Sequence, residues 1–237
     1  MYLENIFSAD DIIKQLPAES KLFQQVDKQW KEHMNRAKKQ PKALEQADYE
    51  HGVNLRKFLD NNKKLDDIQK CLEEYLETKR AAFPRFYFLS NDELLEILSQ
   101  TRNAHAVQPH LIKCFDSMKK IEFTKEANSK TIIGMHSSEG EYVKWTGPVM
   151  AQGAVEHWLS HIEKMMCQSL YDETRLALHR YPENGIERAD WLFTAPAQPI
   201  LTIDMVKWTE GVESAIYEIM KGKNSSALKE FLEFSDK

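Results

Sequence analysis

Apolar positions recur at intervals of three and four along most of this chain, the spacing of one buried helix face. Ser8 followed by Asp11 resembles a capping box, so a short helix should run to Gln15 and stop before Pro17. Pro17 suits the first residue of the next helix, where Leu22, Phe23, Val26, Trp30, Met34 and Ala37 form one stripe. After Pro41 a second stripe holds Leu44, Ala47, His51, Leu55, Phe58 and Leu59. It accepts Gly52 in the helix interior at about 1 kcal/mol against Ala. Asn61-Asn62 predicts a break. Leu65, Ile68, Leu72, Tyr75 and Leu76 then make a third long helix ending near Lys79-Arg80.

Pro84 ends that helix, and the aromatic run through Phe86-Tyr87-Phe88 is expected to be extended. Ser90 to Glu93 is a capping box that starts a short helix with Leu94, Leu95, Ile97 and Leu98. A polar loop from Thr101 to Ala106 precedes a helix carrying His110, Leu111, Cys114 and Phe115.

The helical rhythm breaks at 119–146. Ile121-Glu122-Phe123, Thr131-Ile132-Ile133 and Tyr142 to Trp145 are β-rich, with turn chemistry at Asn128-Ser129 and at Ser137 to Gly140. They predict two or three antiparallel strands, too few to stand alone, so the sheet must pack on helices. Gly147-Pro148 suggests a hinge-like connection, and a long helix should run from about Met150 to Tyr181, stopped by Pro182 to Gly185.

Trp191-Leu192-Phe193 and Pro196 to Trp208 suggest an apolar crossing segment. Thr209 should cap a helix through Met220, and Gly222 and Asn224 end it. A last helix has Ala227, Leu228, Phe231, Leu232 and Phe234; its stripe stops at Lys237 without a partner, predicting a piece of something larger. The fold class expected is mainly α: an elongated multi-helix bundle arm with a small antiparallel β-meander inserted near the middle. Its spans are 1–118, 119–146 and 147–237.

Composition narrows this picture. Only 8 Gly and 8 Pro are too few for a barrel or sandwich with frequent tight turns. A formal net charge of −5 argues against a nucleic-acid binder. The local basic run Lys28, Lys31, Arg36, Lys38, Lys39 and Lys42 is interrupted by Asp27 and Glu32 and reads as a solvated helix face. No apolar run approaches the ~20 residues that span a bilayer. Cys71, Cys114 and Cys167 form no CxxC pair and are read as reduced core thiols.

Candidate chemistry is sparse. His157 and His161 lie four apart, but Trp158 stands where a zinc protease needs its general-base Glu, and no third ligand is apparent. There is no GxxxxGK[ST] phosphate loop and no GxSxG elbow. The expectation is no catalytic, cofactor or metal site. Phe83, Phe86, Tyr87, Phe88, Trp191 and Trp208 admit two readings: inter-helix core, or a docking face with Arg85, Phe86 and Tyr87 as anchors.

The block Tyr75-Leu76-Glu77-Thr78-Lys79-Arg80, followed by Phe83 through Leu98, resembles the linker region of dynein heavy chains. Ile6-Phe7-Ser8, Lys113 to Asp116, Gly134-Met135, Gly153 to Leu159, Trp191-Leu192-Phe193 and Trp208-Thr209 agree in the same order, so the resemblance covers essentially the whole chain. Phe88 to Glu93 looks axonemal rather than cytoplasmic. The resemblance implies a mechanical lever lying across the AAA+ ring of the same heavy chain, bending and straightening as ATP is hydrolysed downstream.

It further implies that ATP and Mg belong to the parent motor. The parent's partners would be intermediate and light chains and microtubules, in the axoneme of a cilium or flagellum, with no nucleic acid and no membrane. Bending requires two arrangements of similar energy, and Gly147 and Pro148 are the candidate flexible zone, with the following long helix as the other place for it. The rival readings are a non-motor helical interaction scaffold and a metal hydrolase built on His157 and His161.

Overall fold

A computed structural model describes residues 4, 6–47, 52–99, 103–126, 129–182 and 187–235. The described elements are α1 (Asp10–Gln15), α2 (Pro17–Lys39), α3 (Ala43–Ala47), α4 (Val53–Ala82), a 3-10 helix (Pro84–Phe88), α5 (Asn91–Ser99), a second 3-10 helix (Ala104–His110) and α6 (Leu111–Cys114). Strands β1 (Met118–Phe123), β2 (Thr131–Ser137) and β3 (Tyr142–Met150) follow. Helices α7 (Val155–His179), α8 (Arg188–Trp191), α9 (Ala197–Met220) and α10 (Ala227–Ser235) complete the order. The fold is mainly α with one three-stranded antiparallel meander, order β1-β2-β3.

The chain divides into two compact units, residues 1–120 with 150–160, and residues 121–149 with 161–237. In the first, α2 and α4 pair along their length, and α1 and α5 pack on them. Phe7 stacks on Phe23 at 5.2 Å, and Phe83 meets Phe86 edge-on at 5.0 Å. Ile68, Leu72 and Leu76, the stripe expected of the third long helix, are buried. Ser90 and Glu93 form the capping box in full: the Glu93 carboxylate accepts from Ser90 N–H at 3.0 Å, and Ser90 Oγ accepts from Glu93 N–H at 3.3 Å.

In the second unit, Trp191 is fully buried among Ala177, Ile200 and Ile203, and its indole N–H donates to Ala177 O at 2.9 Å. The Tyr181 ring closes on it edge-on at 5.1 Å. The hairpin turn is tied to α9, because Ala197 N–H donates to a Glu141 carboxylate oxygen at 2.9 Å, placing negative charge at a helix N-terminus. Gly134 lies under the Tyr142 ring, where an added Cβ would come within 2.6 Å of it.

Several boundaries differ from the sequence reading. Gly52 has φ +84 and precedes α4 rather than sitting inside a helix, and α4 runs straight through Asn61-Asn62. Asn61 is buried along α4's packed face, so the expected break is absent. Ser8 does not cap α1: its hydroxyl donates to Glu4 O at 2.5 Å, and Ala9 is the N-cap. The expected loop ahead of His110 is helical from Ala104 onward. The long α7 begins at Val155 rather than Met150.

The segment Pro196 to Trp208 is not a crossing that precedes a Thr209-capped helix. It is the first half of α9, with Pro199 in the first turn, where its missing N–H is harmless. His51, the loop residues Thr101 and Arg102, the turn residue Asn128 and the stop at Glu183-Asn184-Gly185 lie outside the described residues.

Candidate functional site

The residues proposed as a docking face sit on a single 3-10 turn, and that geometry separates them. A 3-10 helix has three residues per turn, so side chains three apart eclipse. Phe83, Phe86 and Leu89 therefore share one face and are all buried, Phe86 completely. The extended run expected here would instead have alternated at two. Phe86 is core and cannot anchor a partner.

Arg85 is half-buried; its Nη1 donates to Cys114 O at 3.1 Å, and its guanidinium lies 4.8 Å from the Phe115 ring centre. Tyr87 and Phe88, 60% and 67% exposed, carry the open face of this turn. Tyr87 O–H donates to Glu77 Oε2 at 3.0 Å, a bond that raises the phenol above its ordinary range. Of the other aromatics, Phe83 and Trp191 are core, and Trp208 is 44% exposed.

Gly147 and Pro148 lie inside β3, not between sheet and helix. Pro148 is tolerated because β3 is an edge strand. An added Cβ at Gly147 would meet only Met165 Cε, at an ordinary 3.5 Å. The change from strand to helix falls at 151–154, where Gly153 has φ +83.

His157 and His161 are each exposed on α7. Among the described residues no group of three His, Cys, Asp or Glu is placed to hold a metal ion. Nor is any described helix long and apolar enough to cross a membrane. The cysteines are free but unequal: Cys114 is buried, and burial pushes its thiol up to about 11. Cys71 is half-buried, and Cys167 is exposed rather than core.

The sequence reading missed one charged contact. Lys79 Nζ, near the end of α4, meets Glu156 Oε1 at 2.6 Å, with side chains only 17% and 6% exposed. Glu156 Oε2 is buried without a hydrogen-bond partner. Glu156 also occupies the first turn of α7, where negative charge is favoured. The two residues are 77 apart, so local pattern carries no sign of the pair.

Residues 1–177 match the family model for dynein heavy chain, N-terminal region 2. The chain is 46% identical to human dynein axonemal heavy chain 6 over 98% of its length. It is 43% identical to mouse dynein axonemal heavy chain 2 over 97% of its length, and 42% identical to human dynein axonemal heavy chain 3 over 92%. The chain spans only 5–6% of the length of these relatives.

Proposed function

The chain belongs to the dynein heavy chain family, and from that premise we propose that it serves as a segment of the lever that couples the motor's ATP cycle to movement. In this reading it lies against the AAA+ ring of its own heavy chain and bends and straightens without catalysing a reaction. ATP and Mg are bound elsewhere in the parent. The parent assembles with intermediate and light chains, acts on microtubules, and drives beating in a ciliary or flagellar axoneme.

The observation that carries the reading is identity to axonemal heavy chains over nearly the whole chain. Helix length supports it. At 1.5 Å per residue, the 30 residues of α4 make a rod of roughly 45 Å, and α7 and α9 are nearly as long. Such rods suit transmission of force.

The test softens the lever without touching the chemistry. A short Gly-Ser insertion between Gln152 and Gly153, both exposed, is made in the intact heavy chain. The expected result is microtubule gliding that slows severalfold while ATP turnover is retained. Gliding at the parental speed, or turnover lost in step with gliding, overturns the proposal.

A further inference from the structure

Helix α9 has two apolar faces, and the described chain covers one. Ile200, Ile203 and Ala215 are buried, and Gly211 receives the Phe231 ring of α10 so closely that an added Cβ would come within 2.2 Å of it. Beside that face runs a second stripe: Leu201, Met205, Trp208, Val212, Ile216 and Ile219. Its steps are all of three or four residues, one helical seam along most of the element. Leu201 and Met205 are 65% and 63% exposed, and Ile216 and Ile219 stay open at the far end. A continuous apolar stripe of this kind marks an interaction face.

α10 meets α9 on the Gly211 face, through the Phe231 ring, and leaves Ile216 and Ile219 exposed beside it. Beside Trp208 lies a groove of about 630 Å³ bordered by Tyr181, Phe231, Arg188 and Asp204. Its charges are committed to one another: Arg188 grips both Asp204 oxygens at 2.9 and 3.0 Å, and Lys207 meets Glu210 at 3.2 Å. The groove therefore offers apolar surface rather than a site for a charged ligand.

We propose that this seam is a helix-docking face, and that its occupant is an amphipathic helix of the same heavy chain outside residues 1–237. Two observations favour that occupant. The relatives extend far beyond the matched segment, which is 6% of human dynein axonemal heavy chain 6. The α9–α10 pair is itself made by consecutive helices, and consecutive elements of a chain are usually adjacent in space. The occupant should present apolar residues at three-and-four spacing, matching the seam. This inference rests on membership in the heavy-chain family and not on the lever reading.

The test uses the intact heavy chain with a photo-crosslinking amino acid in place of Met205 and, separately, of Ile216. Crosslinked peptides are identified by mass spectrometry. Both positions should link to one stretch of the same polypeptide beyond the 237 residues, at sites three or four apart. A link to α9 of a second copy, a link to a different subunit, or no protein link at all overturns the proposal. As a second readout, backbone amides of α9 should exchange roughly tenfold or more slowly in the intact heavy chain than in the 237-residue chain; equal rates overturn it too. Crosslinking that succeeds while the Gly-Ser insertion leaves gliding untouched would remove the lever reading and keep this one.

Discussion

Residues 83–89 and helix α9 are both rich in apolar side chains, and they use them in opposite ways. In the first, three-residue periodicity gathers Phe83, Phe86 and Leu89 onto one face, which the surrounding helices bury. In the second, Trp191, Ile200 and Ile203 bury one flank while Leu201, Met205 and Trp208 stay open. Apolar content is therefore no measure of core. A side chain becomes core only where another element of the chain reaches it, and local pattern shows the face without showing the cover.

The largest effect that could break this contrast is a pair of truncations. Phe86→Ala should cost about 3–5 kcal/mol by leaving a cavity, whereas Trp208→Ala should cost under about 1 kcal/mol in the isolated chain. Urea unfolding followed by circular dichroism measures both, and equal losses would mean that α9 is covered after all.

Next comes the buried pair. Lys79→Met strands the Glu156 carboxylate and should cost about 3–5 kcal/mol, most of it recovered when Glu156→Leu is added. Failure of the second change to restore the midpoint would show that Lys79 acts through its own packing.

Smaller effects sharpen the account of residues 83–99. Ser90→Ala should cost about 1 kcal/mol through the lost cap, visible as a lower unfolding midpoint and faster amide exchange in the first turn of α5. The acid limb gives a further check. Hydrogen bonds from Lys113, then from Ser90 N–H, hold the Glu93 carboxyl down to about 2. Its stabilising share is complete above the ordinary glutamate pKa of about 4.3. That share fades as pH falls from there toward about 2. Stability of the Glu93→Gln variant should therefore fall less between pH 5 and about 2 than that of the parent; parallel curves would exclude this contribution.

What was legible followed from signals that act over one or two turns. The helix that carries Leu22 to Ala37, the Ser90–Glu93 cap and the β-rich runs of the meander depend on neighbours a few residues away, and each forms where expected, although Trp30 and Met34 of that helix stay exposed. Gly52 and Asn61-Asn62 were misjudged because their outcome depends on distant groups. Asn54 donates to Gln46 O at 2.6 Å and accepts from Arg36 at 2.8 Å, pinning the start of α4 just after Gly52. The apolar, weakly charged run from Pro196 to Trp208 suggested a crossing segment, yet from Ala197 onward it is helical, with Leu201, Met205, Val206 and Trp208 exposed. Of the named docking residues, Tyr87 is exposed, Arg85 is engaged with Cys114 and Phe115, and Phe86 is core.

By itself, then, the sequence determined the family, the helical class, the central meander and the helical course of the segment from Leu22 to Ala37. Those properties follow from side-chain period, caps and turn residues. Only the tertiary structure decided which stripes are covered, that Lys79 and Glu156 meet across 77 residues, and that Phe86 turns inward while Tyr87 turns out. Burial and ion pairing are contacts between segments far apart in the chain, and no local pattern encodes which segments will meet.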